Sequence, residues 1–140
     1  PHMDGDPLLI ISLKNHAPIT SLETMKGQSI GVNEGYTADF YISKQPDIKV
    51  DRLENVAQAM LALKQGKIDA FVTAENAIQP FFDLHGKNGL QVEELPEITE
   101  NYALAVSKKY PDLLKRINAT LVEIKEDGTI ADFKRRWGLK

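Results

Sequence analysis

The stretch Asn33-Glu34-Gly35-Tyr36-Thr37 sets a glycine, an aromatic ring and a hydroxyl side by side between two apolar segments. Upstream, residues 29–32 read as a short strand; downstream, residues 36–44 read as a helix that stops before Pro46. In layered α/β folds ligands sit beyond the carboxyl ends of the strands, where such a turn lies. Free backbone N–H groups and the positive end of the helix dipole there favour an anion. Gly35 lets the backbone bend and approach a ligand closely. Thr37 can cap the helix or offer its hydroxyl to a carboxylate, and Tyr36 can cover or stack on a small ligand. Gly followed by Thr before a helix is also what ordinary capping uses, and spacing alone does not choose. The segment is neither a Walker motif nor GxGxxG.

The elements around this turn follow a rhythm of strand and helix. Residues 7–13 form an apolar run long enough for a buried strand, and residues 21–27 fit one helical turn stopped by Gly27. A third strand is expected over 48–52. From Leu53 to Gln65 the apolar residues Leu53, Val56, Ala57, Met60, Leu61 and Leu63 keep the spacing of a helix with one buried face, closed by Gly66. Then come a strand over 68–73, a helix over 75–85 interrupted or kinked by Pro80, and strands over 89–95 and 101–107. Helices over 111–126 and 130–137 follow, with Pro111 at a first turn and Gly128 between them. The alternation predicts an α/β fold, a three-layer sandwich on a mixed, mostly parallel sheet. Phe81 and Phe82 are expected as core and rim of their helix, and Trp137 as the residue that packs the last helix down. Lys134, Arg135 and Arg136 read as a solvated basic cluster at a helix end.

Composition narrows the function classes. Of 140 residues 42% are hydrophobic and 26% charged, and the net charge is −3, without the basic face of a nucleic-acid binder. No apolar run reaches the ~20 residues that cross a bilayer. The absence of cysteine removes disulfides, thiol nucleophiles and Cys-based metal sites. His16 and His85 have no partner at metal-ligand spacing and read as loop or surface residues, so no metal or cofactor is expected. Residues 1–6 begin Pro1-His2-Met3 and are expected to be a tag or linker remnant.

Three segments in order carry a resemblance to a known family. SLETMKGQSIGVNEGYTADFYI, LENVAQAMLALKQGKIDAFVTAENA and YALAVSKKYPDLLKRINATLVEIKEDGTIADFKRRWG resemble the second lobe and C-terminal signature of type II periplasmic binding proteins, the extracellular solute-binding family 3. The resemblance implies a single lobe of that fold over 7–100. It further implies that 101–140 is a returning strand with C-terminal helices that normally complete lobe 1, whose front half is absent. It implies clamshell capture of an amino acid or small carboxylate in the periplasm, by a transporter binding protein or a membrane-anchored sensor. Gly35, Tyr36 and Thr37 fall on the turn that meets the ligand carboxylate. Ala74 falls where amino-acid binders often place an Asp for the ligand ammonium, and Glu75 follows it by one. The missing first lobe leaves an apolar helix face expected to invite a homodimer or segment exchange.

Two other readings stand beside this one. A few relatives of the fold are dehydratases of small carboxylates, which need a placed acid and base; Glu34 and Glu75 are the acids near the turn, and no His is close to either in sequence. The third reading is a structural or oligomerisation piece that binds no small molecule.

Overall fold

The computed structural model describes residues 3–137. They fold into two compact units, one formed by Asp6–Glu100 and the other by the N-terminal residues up to Gly5 together with the chain from Asn101 onward. The larger unit carries a five-stranded sheet in the order β3-β2-β4-β1-β5, built from β1 (Met3–Leu13), β2 (Ser29–Asn33), β3 (Lys49–Leu53), β4 (Ala70–Thr73) and β5 (Leu90–Tyr102). Parallel pairing joins β2 to β3 and β2 to β4, whereas β1 runs antiparallel to β4.

Strand alternation sorts the side chains into two cores. Ile30 and Val32 of β2 and Ala70 and Val72 of β4 face one side, with Leu8 and Ile10 of β1. The helix α1 (Thr37–Ile42) packs there through Ala38 and Ile42. Phe71, Leu9 and Ile11 face the other side, against α2 (Val56–Lys64) and α3 (Glu75–His85) through Met60, Leu63, Ile78 and Phe82. Helices on both faces of one mixed sheet make the expected three-layer sandwich. Phe82 is buried and Phe81 only partly so, the reverse of the expected order.

Several boundaries differ from the sequence reading. Leu53 belongs to β3, not to a helix: it packs on the second core from the strand end, and α2 starts after Asn55, whose Oδ1 accepts the Gln58 N–H. The expected helical turn over 21–27 is a pair of i→i+3 turns. The Thr24 hydroxyl organises them, accepting the N–H groups of Thr20 and Ser21 and donating to the Ser21 carbonyl. The strands expected at 89–95 and 101–107 are not separate. One strand, β5, runs through Pro96 to Tyr102, and residues 103–107 are not strand. β5 is an outer strand, where a proline costs no ladder bond on the open side. α3 likewise continues through the exposed Pro80.

The smaller unit holds α4 (Pro111–Glu126) and α5 (Thr129–Trp137), which pack on one another across Gly128. Neither helix buries a residue. Trp137 is 76% exposed, so it does not pack the last helix down as expected. Leu121, Ile124, Ile130 and Phe133 line an apolar groove of about 380 Å³ with Tyr102 and Leu104. The basic cluster closes α5, where Arg135 hydrogen-bonds Asp132 one turn back.

Candidate functional site

The register of β2 on β4 decides which loops meet. Val32 lies opposite Val72, so both parallel strands end together and their following turns leave the sheet side by side. Gly35 and Tyr36 lie in the first turn and Thr37 opens α1; Ala74 lies in the second and Glu75 opens α3. Ala74 also packs against the core cluster that contains Ala38, the second residue of α1. All five expected site residues therefore share one edge of the sheet.

Gly35 sits at φ +77°, a left-handed conformation that opens the turn. Its N–H donates to Asp39 Oδ2 at 3.0 Å. Asp39 Oδ1 accepts the Ser43 hydroxyl at 2.7 Å, and Arg52 Nε lies 3.0 and 3.2 Å from the two oxygens. Arg52 Nη2 also donates to Ser43 Oγ at 2.8 Å. The Gly35 N–H, then the Ser43 hydroxyl and Arg52, hold the Asp39 carboxyl below its ordinary range despite its burial. Asp39 thus fixes the turn to the helix behind it.

Thr37 does not cap α1. The N-cap position belongs to Tyr36, which makes no side-chain capping bond and is mostly exposed. The Thr37 hydroxyl instead donates to Glu100 Oε1 at 2.5 Å. Ala74, the N-cap of α3, also offers no capping side chain, and Glu75 stands in that helix's first turn. Dipole complementation is the simplest account of Glu75 in that place.

Two further polar groups lie at the same strand ends. Asn33 and Thr73 close β2 and β4, are 3% and 2% exposed, and leave Asn33 Oδ1 and Thr73 Oγ1 without a hydrogen-bond partner. Neither was singled out in the sequence, because each looks like the ordinary polar end of a strand. Glu100, Asp39 and Arg52 were also missed. Asp39 and Ser43 show the i, i+4 spacing of a helix face, but Glu100 is 63 residues from Thr37.

On the far edge, His16 Nε2 is 3.4 Å from Asp69 Oδ1, and Asp69 Oδ2 accepts the Ser29 N–H at 2.7 Å. Asp69 is thus a structural tie. Among the described residues no cluster of metal-ligating side chains forms, and no helix is long and apolar enough to cross a membrane.

A scan against protein-family profiles matches none. Single relatives do match. The chain is 36% identical over 135 residues, 95% of its length, to the ABC transporter glutamine-binding protein GlnH of Bacillus subtilis (strain 168). Among solved structures, an ancestral arginine-binding protein bound to arginine superposes with a TM-score of 0.74 at 29% identity, over 98% of this chain and 62% of the other. The glutamine-bound form of an ancestral arginine-binding protein gives 0.72 at 30%, over 98% and 61%. This chain belongs to the type II periplasmic binding proteins. Its segment of that family is partial: it spans 48% of the glutamine-binding relative, about half.

Proposed function

We propose that the chain is the second lobe of an extracytoplasmic amino-acid binding protein, with a C-terminal segment that completes the first lobe. The ligand would be clamped at the turns after β2 and β4 when the two lobes close, because it contacts both and so favours the closed state. The observation that carries this reading is the shared edge. Gly35, Tyr36 and Thr37 leave β2 beside Ala74 and Glu75 leaving β4, in a chain whose relatives are named for binding glutamine and arginine. Those names are of binding proteins, which favours capture over the dehydratase reading. The apolar groove of the α4–α5 unit is proposed as the face that the family's first-lobe front half covers, since the chain spans about half of its relative. A parent in the periplasm, serving a transporter or a membrane-anchored sensor, accords with the same relatives.

A thermal-shift screen with amino acids and small carboxylates tests the proposal, on this chain and on the two-lobed parent. One ligand class that raises the parent's Tm strongly and this chain's weakly supports the clamp. No shift in either sinks it. Thr37→Ala and Gly35→Val should weaken binding, and retained affinity in both moves the site elsewhere. Glu75→Gln should alter affinity only if Glu75 takes a ligand ammonium. Light scattering showing a dimer of this chain would assign the groove to a second copy instead.

A further inference from the structure

Asp39 and Glu100 both engage the segment that follows β2, and they are satisfied very differently. Asp39 is held by a backbone N–H, a hydroxyl and a guanidinium. Glu100, on β5, receives one bond, from the Thr37 hydroxyl to Oε1. Among the described residues no lysine, arginine or histidine pairs with Glu100, and nothing donates to its Oε2. A carboxylate partly withdrawn from water and without a cation partner is open to one.

The Thr37 proton has a consequence for the ligand. A hydroxyl donates once. With that proton given to Glu100, Thr37 is set to orient Glu100 rather than to bind a ligand carboxylate. Meanwhile position 74, at the turn from β4 to α3, carries only a methyl group. The carboxylate that takes the Thr37 hydroxyl comes from β5 instead.

We infer that Glu100 is the acceptor for the α-ammonium of an amino-acid ligand, with Thr37 as its positioning residue. This rests on the amino-acid-binding reading above and adds which residue reads the nitrogen. The ammonium would meet Oε2 in a charge-assisted hydrogen bond while Thr37 keeps Oε1 in place. A carboxylic acid of the same shape but without the amino group would meet the same negative charge with nothing to neutralise it, so the site would discriminate against it.

Calorimetric titration of this chain and of the two-lobed parent tests the assignment, with L-glutamine and its des-amino analogue (the same molecule without the α-amino group) as probes. Loss of one charged hydrogen bond corresponds to about tenfold or more in affinity. Glu100→Gln keeps size and polarity and should weaken glutamine by about that factor, with the des-amino analogue unchanged or tighter. Thr37→Val should weaken glutamine in the same selective way, and Thr37→Ser should restore it. Equal changes for both probes, unchanged affinity, or tighter binding of both by Glu100→Gln would each overturn the assignment. The last outcome would mean that Glu100 stands where a ligand carboxylate belongs. If neither the unaltered chain nor the two-lobed parent binds a probe or any other amino acid, the amino-acid reading itself falls. If either binds and its variants match it, only the role of Glu100 falls.

Discussion

Arg52, on β3, holds Asp39, on α1, with its Nε at 3.0 and 3.2 Å from the two carboxylate oxygens, and so ties the helix after β2 to the neighbouring strand. The Gly35 N–H and the Ser43 hydroxyl complete the site, and together they lower the Asp39 pKa. A carboxyl lowered on folding stabilises in full above its unfolded value near ~4, and that stabilisation is lost as pH falls through the lowered value. Asp39→Asn should cost about 2 kcal/mol at pH 7, the worth of hydrogen bonds to a charged group, and almost nothing extra in strong acid. Denaturant titrations at pH 7 and at low pH measure this. A variant whose deficit is the same at both would show that the charge of Asp39 does not matter.

Thr73→Val should raise stability. Thr73 Oγ1 is buried and unpartnered, and valine keeps the shape without the orphaned hydroxyl, so a gain of about 1 kcal/mol is expected. A rise in Tm is the readout, and a fall would mean that the hydroxyl is paired in solution.

Gly31 and Gly35 should both resist alanine, for different reasons. A Cβ on Gly31 would lie 2.6 Å from Ile68 Cδ1 and 3.1 Å from Leu53 Cδ1, inside the second core. Gly35 meets nothing within 4 Å, but its φ of +77° strains any L side chain. Gly31→Ala should cost about 1–3 kcal/mol through overpacking, and Gly35→Ala about 1 kcal/mol through the backbone. Trimming the neighbour separates the two mechanisms: adding Ile68→Val should recover part of the first loss and none of the second.

Much of the frame was legible because its signals are local. The helix α2 announced itself by apolar spacing, and Asn55 now explains why it starts where it does. The turn at 33–37 stood out because glycine and threonine lay between a strand pattern and a helix pattern. What stayed hidden depends on residues distant in sequence. Glu100 reaches Thr37 only because β5 runs on through Pro96, and a proline in a charged stretch reads as an end, not as the middle of a strand. Arg52 looked like an ordinary exposed end of a short strand until Asp39 was found beside it. Leu53 fitted the helical spacing by coincidence, since its burial comes from β3.

The 16 residues of α4 include no fully buried side chain, and neither do those of α5. A helix of that length is marginal in water when so little packing supports it. Deuterium should therefore enter its amides through small local openings, orders of magnitude sooner than at Ile30, Phe71 or Val72, which are freed only when the sheet itself comes apart. On heating, the chain should lose helical ellipticity first and sheet packing later. A single fitted midpoint would then average two separate events and describe neither.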